Sequence, residues 1–156
     1  MMKKYFLITA LVLAFGATSK AQTKASDSLE VVTVFKNLLA ECKNVDFSDP
    51  KVLSVGTFYK AAPFIIYRGE DKKRAWKDFA NYSNSTEKTG VDEVCYKINS
   101  TINQDSSYTI LKFHKEKESE GEWNVLTISY LRKGKQKEIA FAFLKVNNKF
   151  GLGDID

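Results

Sequence analysis

Residues 139–146 read Ile139-Ala140-Phe141-Ala142-Phe143-Leu144-Lys145-Val146, and this IAFAFLKV run decides the fold. Successive side chains of a strand point to opposite faces, so a run apolar at both parities predicts a strand covered on both sides, hence central in its sheet. Asn147-Asn148 follows it. Asparagine tolerates positive φ, which suits a two-residue hairpin, and Phe150 and Leu152 then begin a short last strand. Upstream, Lys133-Gly134 marks another hairpin. Trp123, Val125, Thr127, Ser129 and Leu131 alternate there with Leu126, Ile128 and Tyr130. A turn at Glu120-Gly121 leads back to residues 108–117, where Tyr108, Ile110, Lys112 and His114 alternate with Thr109, Leu111 and Phe113. Val94, Tyr96, Ile98 and Ile102 also alternate, which predicts a further strand from residue 91, closed by a turn at 103–106.

The N-terminal half has a different period. Val31, Phe35, Leu38 and Cys42 recur at intervals of three or four, which predicts a helix over residues 28–43 with one broad buried stripe. Asp27 stands where a cap would, and Glu30 three residues on completes a capping box. Asp49-Pro50 suggests a short second helix over 50–55. Residues 62–69 suggest a brief edge strand entered through Pro63. Glu70 and Asp71 open a third helix whose stripe is Ala75, Trp76, Phe79 and Tyr82, and residues 81–90 form a polar loop. The expectation is one α+β domain over residues 28–156, with helices packed on a curved antiparallel meander of about five strands. Phe35, Phe79 and Phe141 should share its core.

Residues 1–22 carry the anatomy of a secretory signal peptide. Lys3 and Lys4 give a positive start. Residues 5–15 (YFLITALVLAF) are apolar, and Ser19 and Ala21 are the small residues a signal peptidase needs. The apolar run, about 11 residues, is well short of the roughly 20 of a spanning helix. A chain beginning near Gln22, exported to the periplasm or the exterior of a bacterium, is expected, with residues 22–27 as a tether and no membrane span after cleavage. The full chain has 24 basic and 19 acidic residues. Lys3, Lys4 and Lys20 leave with the leader, so 21 face 19, a net of +2. A near-neutral balance removes the compositional case for nucleic acid.

The order of elements resembles the NTF2-like (SnoaL and ketosteroid isomerase-like) superfamily. The residues that carry the resemblance are the long first helix, the short second one, the brief strand, Gly69-Glu70-Asp71 opening a helix with Trp76 and Phe79, and the meander. Residues 143–156 (FLKVNNKFGLGDID) look like that family's last hairpin. A cystatin-like domain, one helix on a meander, is the alternative. The resemblance implies a cone-shaped domain with a pocket at its mouth. Some members are enzymes with Asp, His or Tyr in that pocket, and many others bind without catalysis, so fold alone licenses no reaction.

Candidate chemistry is sparse. Tyr59, Tyr67, Trp76, Tyr96, Trp123 and Tyr130 could line a ligand pocket, their hydroxyls and indole nitrogens orienting a bound molecule. His114, the one histidine, has no nucleophile or orienting carboxylate at a recognisable spacing and reads as a surface residue. Asp154 and Asp156 could stand at a pocket rim, although a chain terminus is solvated by default. No HExxH, CxxC, Walker A, GxSxG or EF-hand pattern occurs, so neither a metal nor another cofactor is expected. Cys42 and Cys95 are the two cysteines. Export and an even count favour a bridge, whereas placing Cys95 on the Glu93/Lys97 face of a strand points it away from the helix and leans towards unpaired thiols. The functional expectation is a non-catalytic domain that binds a small apolar molecule or a partner protein of the cell envelope. The alternatives are a small isomerase, dehydratase or hydrolase, and a structural association domain that dimerises through its sheet face.

Overall fold

The computed structural model describes residues 26–43, 60–66, 78–81, 85–102 and 107–156. Helix α1 covers residues 26–43 and α2 covers Ser85–Thr101. Four strands follow: β1 (Tyr108–Glu118), β2 (Gly121–Arg132), β3 (Lys135–Val146) and β4 (Lys149–Ile155). They pair antiparallel in the order β1-β2-β3-β4, as a curved sheet that does not close. Turn chemistry enforces this meander. Lys133 and Gly134 have φ of 51° and 73°, and Asn147 and Asn148 have 49° and 61°. Two consecutive left-handed residues give the turn whose twist matches that of the flanking strands.

Residues 139–146 are apolar on both faces for two different reasons. Ile139, Phe141 and Phe143 face the helices and enter the main core, while Leu144 and Val146, with Ala142 beside them, join a smaller cluster on the opposite face. Helix α1 contributes Val31, Phe35, Leu38 and Cys42 to the main core, and the Phe35 and Phe141 rings meet at 4.8 Å. Phe79 is not with them. It is bridged to Ile66 and packs in the smaller cluster with Trp123 and Leu144.

Residues 85–101 correct the expected polar loop and first strand. Val91, Cys95, Ile98 and Ile102, all buried, are spaced four, three and four apart, which is a helical stripe, and Tyr96 of the supposed strand face is 46% exposed. Packing against α1 and the sheet selects this periodicity over the alternating one. With Cys95 on a helix its sulfur faces α1, and Cys42 and Cys95 form a disulfide, against the lean towards free thiols. The Asn99 side-chain amide donates to the Cys42 carbonyl at 2.8 Å, satisfying one of the orphan acceptors at the end of α1. Residues 62–69 also differ from expectation. Ala62–Phe64 is a 3-10 turn, and Ile65 and Ile66 make isolated bridges to Leu152 and Phe79. Residues 78–81 are not helical. The leader, the expected helix at 50–55, the body of the expected helix from residue 70 and the turn at 103–106 lie outside the described residues.

Asp27 lies within α1 rather than capping it. Its buried carboxylate accepts from Lys115 Nζ at 2.6 Å and Lys145 Nζ at 2.9 Å, tying the helix start to β1 and β3. Burial alone would raise its pKa, but the two ammonium groups outweigh burial and hold it below the ordinary 3.8. A depressed carboxylate pKa contributes stability above the unfolded value and loses it as pH falls through the folded one. Burial would lower the Lys115 pKa, yet the bonds it donates to Asp27 and Glu122 raise it above 10.5, so its share is lost only as pH rises beyond that. Asp27→Asn should therefore cost about 1–3 kcal/mol at neutral pH, and urea unfolding should show the gap from wild type closing below about pH 4. A gap of the same size at pH 2 would refute the ion-pair account.

Candidate functional site

Two clefts are framed by described residues, one on each side of the sheet. The first lies between α2 and β4 and has a volume of about 290 Å3. Ile65, Ile66, Ala80, Val91, Val94 and Leu152 form its apolar wall, and Glu87, Glu93, Lys97 and Asp154 are its charged groups. Glu87, Lys97 and Asp154 are bonded within the fold. Glu87 is fully buried in the first turn of α2, where a carboxylate answers the helix dipole, and it accepts the Asn81 backbone N–H at 2.5 Å. The Lys97 ammonium donates to the Ile155 carbonyl. Asp154 accepts the Ile155 N–H at 2.9 Å.

The second cleft is a groove of about 410 Å3 on the sheet face opposite α1 and α2. Strand register builds it. One row across the sheet runs His114, Val125, Ala142, Asp154, and the next pairs Thr127 with Ala140, which exchanges both backbone hydrogen bonds with Asp156. Small side chains on the two central strands thus form a floor between longer ones on the outer strands. Trp123 closes one end, over Gly153. A Cβ at Gly153 would meet the indole at 2.7 Å, so only glycine admits the ring there. A Cβ at Gly151 would likewise lie 2.5 Å from Ile66 and 2.7 Å from Phe79. Gly151→Ala should lower stability by about 1–3 kcal/mol through overpacking. Thermal unfolding measures this, and an unchanged midpoint would mean the smaller cluster is not packed as described.

The groove is acidic. Glu116, Glu118, Glu120, Asp154 and Asp156 line it with His114, and its described lining holds no lysine or arginine. His114 Nε2 lies 2.6 Å from Glu116 Oε1, so Nε2 carries the hydrogen and donates it. Nδ1 is buried without a hydrogen-bond partner among the described residues. The sequence reading of a surface histidine thus becomes a half-buried one on the groove wall. Among the described residues, no three His, Cys, Asp or Glu side chains gather as metal ligands.

Of the six aromatic residues proposed for a pocket, Tyr59, Tyr67 and Trp76 lie outside the described residues. Tyr96 is exposed on α2, Tyr130 is in the main core and Trp123 is on the groove wall. The three described ones share no pocket, since Trp123 and Tyr130 differ in strand parity and face opposite ways. Asp154 and Asp156 do stand at the groove rim. Glu116, Glu118 and Glu120 were missed as site residues. The signal was their two-residue spacing with His114, which puts Glu116 and Glu118 on its face.

No family model matches the chain, and no curated protein or solved structure matches it either. Among the described residues no helix is long and apolar enough to cross a membrane.

Proposed function

We propose that the chain is an exported, non-catalytic binding domain that receives a ligand on the sheet face opposite α1 and α2, and that the ligand joins a positively charged group to a modest apolar body. The observation that carries this is the pairing of five carboxylates with a floor of Val125, Thr127, Ala140 and Ala142 beside Trp123. Exposed charge pairs contribute about 0.2–1 kcal/mol each, and a cation over an indole about 0.5–1 kcal/mol. Several converging contacts of this size give weak, salt-sensitive binding. That the described residues already include two helices, α1 and α2, favours the NTF2-like resemblance over a cystatin-like domain, which has one helix.

Calorimetric titration with spermidine and with a short lysine-containing peptide tests the proposal. Both should bind at low salt and lose affinity as salt rises, because screening acts on exposed charges. Glu116→Gln combined with Asp154→Asn should weaken binding about tenfold, the equivalent of 1.4 kcal/mol. Failure of both probes to bind, or unchanged affinity in the double variant, would reject the groove as the site.

A further inference from the structure

We infer that β1 is a self-association edge, and that a second copy of this chain docks on it to form a two-fold symmetric, continuous sheet. Among the described residues β1 is a long strand with one sheet neighbour, β2. The opposite edge, β4, is shorter and is met by Ile65 and Ile66, the Ile66 N–H donating to the Leu152 carbonyl at 2.8 Å. No described backbone group outside β2 hydrogen-bonds to β1. An unpaired row of N–H and C=O groups is a template for another strand.

Edge strands are commonly kept apart by charge, and the sequence here decides against that reading. Residues 112–118 read KFHKEKE, mixed in sign rather than uniform. Directly opposed residues of two antiparallel strands share a face, so a two-fold axis must relate residues of equal parity. With the axis at Lys115, Lys112 opposes Glu118 of the second copy and His114 opposes its Glu116, each contact occurring twice. Opposite charges directly across a strand pair are favourable. On the helix side Phe113 opposes Lys117, an aromatic ring against a cation. Lys115 opposes itself, but its charge is already answered by Asp27 at 2.6 Å and Glu122 at 2.8 Å. Shifting the axis by one residue towards the C-terminus opposes Glu116 to Glu116 and Lys115 to Lys117, like charges that disfavour it. An axis at His114 keeps a Lys112–Glu116 contact but opposes His114 to itself and leaves Glu118 without a basic partner, so the axis at Lys115 gathers the most acid–base contacts. A register shift between Ile110 and Lys112 ends the regular strand just beyond this window. Ile110 and Leu111, 38% and 47% exposed, then fall beneath the β1–β2 turn of the second copy.

Sedimentation velocity of the purified protein over a dilution series reads the result. The wild type should dimerise, and Glu118→Lys should be monomeric at every concentration, with circular dichroism showing the fold retained. Lys112→Glu combined with Glu118→Lys restores opposite charges in the same register and should restore the dimer. A monomeric wild type, or a dimer indifferent to Glu118→Lys, would overturn the inference. Failure of the double variant to recover would overturn the register.

Discussion

Replacing both cysteines, Cys42→Ala with Cys95→Ala, should lower the unfolding free energy by about 4 kcal/mol, because a cross-link of this span removes much of the unfolded chain's freedom. The two residues are 53 apart in sequence. Loop-closure entropy gives about 3 kcal/mol for a 15-residue loop and about 4.7 kcal/mol for 100 residues, which brackets this case. Both half-cystines are fully buried between α1 and α2. The same bond therefore also fixes how the two helices lie on the sheet. Urea unfolding of the double variant, compared with the oxidised wild type, gives the number directly. A loss under about 1 kcal/mol would mean that the cross-link constrains little, below the usual 2–4 kcal/mol.

Phe35→Ala should cost about 3–5 kcal/mol, the usual range for emptying a buried phenylalanine site. The ring is fully buried and touches Phe141 at 4.8 Å and Tyr108 at 5.5 Å, so it joins α1 to both β3 and β1. Small domains hold only about 5–15 kcal/mol in total, so this single change removes a large part of the stability. The midpoint of chemical unfolding should fall steeply while the slope stays the same. An unchanged midpoint would show that α1 does not pack on the sheet.

The hairpins and α1 were legible because local chemistry and the hydrophobic period agree there. Lys133-Gly134 and Asn147-Asn148 can adopt the left-handed turn conformation, and the α1 stripe offers no competing period. Helix α2 was not legible. Val94, Tyr96 and Ile98 alternate as well as Val91, Cys95, Ile98 and Ile102 recur. Gly90, Cys95, Asn99, Ser100 and Thr101 are also weak helix formers. Tertiary packing decided between two readable patterns, and the disulfide reading failed with the strand reading, since a side chain's direction depends on the element that carries it. On β1 the register shift beside Leu111 changes the phase, so Tyr108 and Phe113 both pack on the main core although their parity differs. The terminal acids were expected to fray. Instead Asp156 exchanges two backbone hydrogen bonds with Ala140, at 2.9 and 3.0 Å, which holds it at the groove.

The binding site proposed here lies on the sheet face opposite α1 and α2. Heteronuclear NMR of the labelled protein during a spermidine titration tests it residue by residue. Salt-sensitive shifts are expected at the Trp123 indole N–H and at the backbone amides of Val125, Thr127, Ala140 and Ala142, with Val91, Val94 and Leu152 unmoved. Shifts centred on Val91, Val94 and Leu152, or none at saturating probe, would contradict it.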